Sequence, residues 1–305
     1  MAAGTAASRS ASIGIACTLV GAIGFSGKTV IVKLAYRYGV DTMTLLALRM
    51  LFALPFFLAM AWWAGAPSAL SRRDWLIVGG LGFLGFYLRS YLDLAGLQYI
   101  SAALGRLILY LYPTLVLAFS AAFLGVRVGR REMMSLGLSY GGIAIVFGTE
   151  AQQGGELTSI ALGWLLVFGS AVTYASYLVA GSRLVRRLGS MRFTSYASIA
   201  ASCFVLGTFL AMRGTGALIA PREVYGLTLI LAVFSTVLPL WLMAEGLKRI
   251  GANQASLVAC IGPIATIVFA WMFLGEPVTA VQAGGAALVL AGVMIISLRP
   301  KPAAP

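Results

Sequence analysis

Six ionisable side chains interrupt runs that are otherwise apolar: Lys28, Arg49, Arg89, Asp93, Arg106 and Glu245. Placing an ion at bilayer depth costs at least about 2.5 to 3.5 kcal/mol on insertion scales, so such residues are candidates for handling a ligand or an ion. Four of the six are cations, which suits a ligand carboxylate, because guanidinium and ammonium groups donate charge-assisted hydrogen bonds to its oxygens. Asp93 and Glu245 are the embedded carboxylates able to meet a ligand ammonium or carry a proton. Aromatic residues gather in the same runs: Tyr87, Tyr91, Tyr99, Tyr110, Tyr112, Trp164, Tyr174, Tyr177 and Trp241. Their rings offer apolar contact with one polar handle.

Each candidate has a structural reading beside the functional one. Arg89 and Asp93 are four residues apart, on one helix face and within ion-pair reach, so they can neutralise each other. Arg49 stands near the start of its run and reads as a residue whose stem lets the charge snorkel to the interface. Lys28 could snorkel too, but it shares a face with Gly14, Gly21 and Gly24, and such small residues permit close packing against protein. A comparable stripe, Gly163, Ser170, Tyr174, Tyr177 and Gly181, recurs later in the chain. Arg106, Tyr110 and Pro113 form a further stripe, mirrored by Ser256, Cys260 and Pro263. Pro113 and Pro263 are expected to kink their helices at mid-membrane, freeing carbonyls that line a cavity or find new donors; static packing kinks are the alternative. Tyr36, Tyr38, Trp62, Trp63 and Trp75 read as interfacial belt residues, while Tyr87, Tyr91, Tyr110, Tyr174 and Trp241 lie deeper.

The chain contains no histidine, which removes the commonest general base and metal ligand. Cys17, Cys203 and Cys260 are far apart in sequence and read as small core residues, so neither a metal site nor a cofactor is expected. A membrane-embedded enzyme would need a clustered nucleophile and base, and Arg89 with Asp93 makes no such constellation.

The elements that must hold these residues follow from composition. Of 305 residues, 60% are apolar and 10% charged, which places the chain in lipid. Runs of about 20 apolar residues are needed to span the hydrocarbon core. Ten occur, near 13–36, 44–63, 75–97, 101–124, 133–148, 160–181, 194–212, 225–245, 253–274 and 279–298. An all-α integral membrane protein is expected, and the first run reads as a retained helix. The net charge of +13 sits mostly in alternate loops, including Arg72, Arg73, Arg127, Arg130, Arg131, Arg183, Arg186, Arg187, Arg192, Lys248 and Arg249. The opposite loops hold Lys33, Arg37, Arg213 and Arg222, so the positive-inside rule puts both termini in the cytoplasm and accounts for the charge without nucleic acid. In that orientation every intramembrane charge except Glu245 lies in the outer half.

A shift of 150 residues aligns Gly96, Leu97, Pro113, Phe123, Leu124 and Gly125 with Gly246, Leu247, Pro263, Phe273, Leu274 and Gly275. The chain therefore divides into a tail at 1–12, five helices at 13–148, an external linker at 149–159, five helices at 160–298 and a tail at 299–305. Five is odd, so the second set enters the membrane inverted. Inverted halves can open a shared site to one side and then the other.

Arg106-Leu107-Ile108-Leu109-Tyr110-Leu111-Tyr112-Pro113, and Phe273-Leu274-Gly275-Glu276-Pro277 followed by Gln282, Gly285 and Gly292, carry a family likeness. The chain resembles the drug/metabolite transporter superfamily, and within it the ten-helix permeases of two EamA-type repeats, a group that includes a bacterial exporter of aromatic amino acids. The resemblance implies a central cavity and export of amino acids or related metabolites from the cytoplasm. Two departures stand out. Gly125-Val126 replaces the Gly-Glu pair of the second half, and the first helix offers Lys28 where small multidrug-resistance relatives carry a carboxylate, which argues against proton antiport by that route.

The expected function is thus export of amino acids, aromatic ones foremost, across a bacterial inner membrane by uniport or exchange. Lys28, Arg89 or Arg106 would hold the carboxylate, Asp93 or Glu245 the ammonium, and the tyrosines the side chain. The expected partners are a small-molecule substrate and the lipid bilayer, with the protein a monomer. Multidrug or nucleotide-sugar traffic is the alternative within transport, and a receptor-like protein or an enzyme the alternative outside it.

Overall fold

The computed structural model describes residues 2–65, 70–125, 128–152 and 156–297. Val126, Arg127, Arg299, Lys301 and the tail expected at 299–305 lie outside the described residues, as do the side chains of Arg9, Arg183, Arg186 and Ser256. Every regular element among the described residues is helical. The order is α1 (Ala2–Tyr36), α2 (Thr42–Trp63), α3 (Arg72–Gly82), α4 (Arg89–Gly96), α5 (Ala102–Leu109), α6 (Tyr112–Leu124), α7 (Arg130–Gln152), α8 (Leu157–Leu188), α9 (Ser190–Arg213), α10 (Arg222–Ala232), α11 (Leu238–Ala259), α12 (Ile261–Phe269) and α13 (Ala280–Ser297). In lipid the backbone must bond to itself, which these helices accomplish.

Polar residues set the helix starts. Asp41 caps α2 through the amides of Met43 and Thr44, Ser71 and Asp74 form a reciprocal capping box on α3, and Ser101 caps α5. Gly125 and Gly275, with φ of 68° and 73°, terminate two spans in the left-handed conformation that a Cβ disfavours.

Among the described residues eight helical stretches are long and apolar enough to cross a membrane: Ser10–Tyr36, Thr42–Trp63, Arg72–Gly96, Ala102–Phe123, Leu157–Ser182, Ser190–Arg213, Arg222–Gly251 and Leu257–Leu274. A ninth, Ala280–Ile295, is apolar but shorter. The run at 133–148 falls inside α7, which is long enough but is diluted by serines, glycines and terminal charges. Those small residues serve packing. Ser135 donates to the Gly292 carbonyl, and a Cβ on Gly142 would stand 2.5 Å from the Gly285 carbonyl oxygen, so α7 and α13 meet almost backbone to backbone.

Several irregularities recur at the 150-residue interval. One-turn π-helical segments join α3 to α4 at Phe83–Leu88 and α10 to α11 at Val233–Val237. The span holding Pro113 breaks at Tyr110 and Leu111, and the one holding Pro263 breaks at Cys260. Packing is reciprocal as well: α1 lies against α10, α11 and α12, α8 lies against α4, α5 and α6, α2 meets α9, and α7 meets α13. The Gly14, Gly21 and Gly24 stripe is the surface on which α1 approaches α11, with Gly24 facing Pro239 and the Phe234 carbonyl.

Candidate functional site

Lys28, about two turns before the end of α1, forms an ion pair with Asp93 of α4. Both side chains are buried. The Arg89–Asp93 pair that the sequence spacing allows is therefore replaced by two separate contacts. Arg89 turns to the face of Tyr174, its guanidinium carbon 4.0 Å from the ring centroid, because α8 packs against the face of α4 that carries it.

Arg49 does not snorkel. It is buried, and its Nε donates to the Thr236 hydroxyl at 3.1 Å. Thr236 in turn donates to the Leu231 carbonyl five residues back, a bond that the π-helical segment makes possible. The reason for the burial is that α4, α9 and α10 pack over the side of α2 that carries Arg49, while Leu51, Phe56 and Leu58 of the same helix stay exposed. Arg49 and Arg89 are close enough to repel Lys28, and Asp93 attracts both Lys28 and Arg49. Sequence reasoning passed over Arg49 because position along a run does not reveal which neighbours close over it.

Aromatic rings line the adjoining region. Tyr112, the residue that starts α6 beyond the break, meets Tyr174 edge-on at 5.2 Å, and Tyr174 stacks on Tyr177 at 6.0 Å. Tyr177 lies over Gly85, where a Cβ would come within 2.4 Å of the ring. Tyr112 was passed over as a site residue; its place directly before Pro113 was the available signal. Arg106 sits over Tyr110, 5.2 Å from the ring centroid, and both pack on Gly262 of α12. Tyr110 donates to the Ala259 carbonyl at 2.9 Å. Within this constellation Arg49 Nη1, Arg89 Nε, Arg106 Nε and Asp93 Oδ1 are buried polar atoms without a hydrogen-bond partner.

Other candidates lie apart. Tyr91, Tyr99 and Trp241 are 39%, 41% and 53% exposed, on outward faces. Trp164 stacks on Phe168 at 4.9 Å, and Tyr87 packs on Phe83. Glu245 is held by Lys248 at 3.4 Å and Arg249 at 2.9 Å, one turn along its own helix. Cys203, expected in the core, is exposed. No group of three potential metal-ligating side chains occurs among the described residues.

At the Tyr36 end of α1 the two halves of the chain are tied together. Lys33 pairs with Glu276 at 3.1 Å, the Ala102 amide donates to the same carboxylate at 3.0 Å, and Arg37 donates to the Leu274 carbonyl at 2.8 Å. Glu150 accepts from the Ser101 amide at 3.3 Å and from its hydroxyl. Burial pushes the Glu150 carboxyl up, against the Ser101 hydrogen bonds that favour its ionised form. Beside this latch lies a cavity of about 560 Å³, lined by Lys33, Tyr36, Arg37, Gln98, Leu274 and Glu276 among others. At the opposite end Arg187 pairs with Asp74 at 3.1 Å and Arg192 donates to the Ala64 carbonyl at 2.8 Å.

A multi-pass helical membrane protein with buried charges, paired helix breaks and ionic ties between two halves has the construction of a membrane transporter. The model of the EamA-like transporter family matches residues 12–148 and again 161–298, and the chain belongs to that family. It is 32% identical over 298 residues to the uncharacterized transporter YcbK of Bacillus subtilis, covering 93% of this chain and 94% of that one. It is 28% identical to the uncharacterized transporter YyaM of the same organism, covering 73% and 72%. An uncharacterized transporter of Archaeoglobus fulgidus is 28% identical, covering 84% and 87%. A solved crystal structure superposes with a TM-score of 0.64 at 18% identity, covering 92% of this chain and 96% of that one, which establishes likeness of fold.

Proposed function

We propose that the chain exports amino acids, aromatic ones foremost, and related small metabolites across a bacterial inner membrane. It works by alternating access as a monomeric uniporter or exchanger. The observation that carries this reading is the set of unpartnered polar atoms at the centre of the bundle. Arg89 Nε and Arg106 Nε can donate to a carboxylate, Asp93 Oδ1 can accept from an ammonium, and Tyr110, Tyr112, Tyr174 and Tyr177 can hold a ring. Glu245, with its two local basic partners, has no such part.

The ten-span, inverted-repeat architecture with both termini cytoplasmic belongs to the same proposal. In its favour are the two segments matched by one family model, the helix breaks 150 residues apart and the reciprocal packing of α1 and α8. In this architecture α7 and α13 complete the count. Proton antiport is disfavoured because Asp93 is engaged by Lys28 and Glu245 by Lys248 and Arg249. Multidrug traffic is disfavoured because a lipophilic cation would enter a cationic site.

Counterflow of labelled phenylalanine, tyrosine and tryptophan in proteoliposomes tests the proposal. Saturable exchange that is lost in Lys28→Ala and Arg106→Ala, and that ignores an imposed pH gradient, is the expected result. Unchanged flux in both variants would refute the site, and proton-driven accumulation would refute the coupling mode.

A further inference from the structure

Charge at the centre of the bundle does not balance. Lys28 and Asp93, 7% and 2% exposed, offset each other by direct contact. Arg49 is as deeply buried as Lys28, yet its recorded side-chain bond is to the neutral Thr236 hydroxyl, and Nη1 has no partner. Arg89 faces the Tyr174 ring and Arg106 the Tyr110 ring, each with a buried, unbonded Nε. Tyr112 meets edge-on the Tyr174 ring that Arg89 covers, and stands two residues beyond Tyr110, whose ring Arg106 covers. A ring face or a hydroxyl supplies only a partial negative charge. A buried cation without a full counter-charge is the costly case, and Arg49 is one; Arg89 and Arg106, half-buried with their Nε atoms enclosed, add to the same excess of positive charge.

A zwitterion does not repair this imbalance, because it brings no net charge. Its ammonium would also have to sit at Asp93 Oδ1, beside Lys28 and within the field of Arg49 and Arg89. We infer that the ligand completing this site is a net anion, an aromatic carboxylate without a compensating ammonium group, and that Arg49 is one of the residues that hold it. The inference rests on the transport reading above and moves the preferred ligand from the zwitterionic amino acids to the related metabolites without an ammonium group, aromatic 2-oxo acids and similar monoanions. Thr236 fixes the Arg49 guanidinium from the π-helical segment, which leaves the far edge of the fork for the carboxylate.

The test uses the full chain in proteoliposomes with three probes that share a phenyl ring and the two carbons next to it: phenylpyruvate, L-phenylalanine and phenethylamine, of charge about −1, 0 and +1 at neutral pH. Phenylpyruvate is expected to support counterflow at a concentration at least about tenfold lower than phenylalanine, the ratio that one unmatched charge contact commands, with phenethylamine inactive. Arg49→Gln should narrow that ratio toward one, and Arg49→Lys, which keeps the charge, should retain most of it. Phenylalanine moving as well as or better than phenylpyruvate would overturn the inference while leaving amino-acid transport standing. A well-folded Arg49→Gln with the wild-type ratio would remove Arg49 from the site. Movement of none of the three would overturn both readings. Should Arg49→Gln fail to fold, the wild-type ratio and Arg89→Gln decide the ligand class.

Discussion

The Tyr110 hydroxyl donates to the Ala259 carbonyl at 2.9 Å, and Ala259 is the residue whose helical donor, four positions on, is Pro263. Proline has no amide hydrogen to give. A side chain at one helix break thus supplies the hydrogen bond missing at the other, and the two broken spans are joined across the middle of the bundle.

Removing that hydroxyl leaves a half-buried carbonyl short of a donor, at a cost of about 1 kcal/mol. Tyr110→Phe should therefore lower the detergent-solubilised melting temperature. Adding Pro263→Ala to it should restore part of the loss, because the new amide can reach Ala259. A double variant no more stable than the single one would show that the bond does not serve this purpose.

Lys28 and Asp93 should behave as a unit. Either Lys28→Met or Asp93→Asn alone strands a buried charge and should cost about 3–5 kcal/mol, whereas the double variant should recover most of the stability. Transport should stay impaired in all three. Additive losses in the melting curves would mean that the two groups do not depend on each other.

Gly85 gives Tyr177 its place. An added Cβ would stand 2.4 Å from the ring, so Gly85→Ala should destabilise by about 1–3 kcal/mol and shift ligand affinity. Gly79, with open space around it, provides the control, and Gly79→Ala should be close to silent. Equal effects at the two positions would contradict the packing described.

The latch at the Lys33 end should regulate access to the cavity beside it. Glu276→Gln keeps an acceptor for the Ala102 amide but gives up the ion pair, and Lys33→Met does the same from the other side. For a partly exposed pair worth up to about 1 kcal/mol, each should speed thiol labelling of Gln98→Cys by roughly two- to fivefold. The background would carry Cys17, Cys203 and Cys260 replaced by alanine. Labelling rates equal to wild type would exclude a gating role.

Glu150 gives a pH signature. Its carboxyl is held above the ordinary glutamate value by burial, so the folded state retains a proton that the unfolded chain releases. The stability it contributes is then fullest below the ordinary value and is lost as pH rises through the raised one. Glu150→Gln should flatten the melting temperature across that window. Parallel profiles for the two proteins would show that Glu150 is not the titrating group.

Legible in the sequence were the membrane location, the helical spans, the helix breaks near Pro113 and Pro263 and the close-packing glycine stripe, because each follows from local chemistry. Apolar length calls for lipid, proline removes an amide, and glycine lets backbones approach. Charge pairing was not legible. Spacing allowed Arg89 to reach Asp93, yet Lys28, 65 residues away in the chain, takes that carboxylate once α1 and α4 are brought together. Arg49 read as an interfacial residue until α4, α9 and α10 closed around it, and Trp241 and Glu245 read as site residues until they faced outward and toward their own helix. Depth along a helix is a property of sequence. Which way a side chain faces, and which counter-charge it finds, depends on how helices distant in sequence pack, because in low dielectric each charge is governed by its nearest partner.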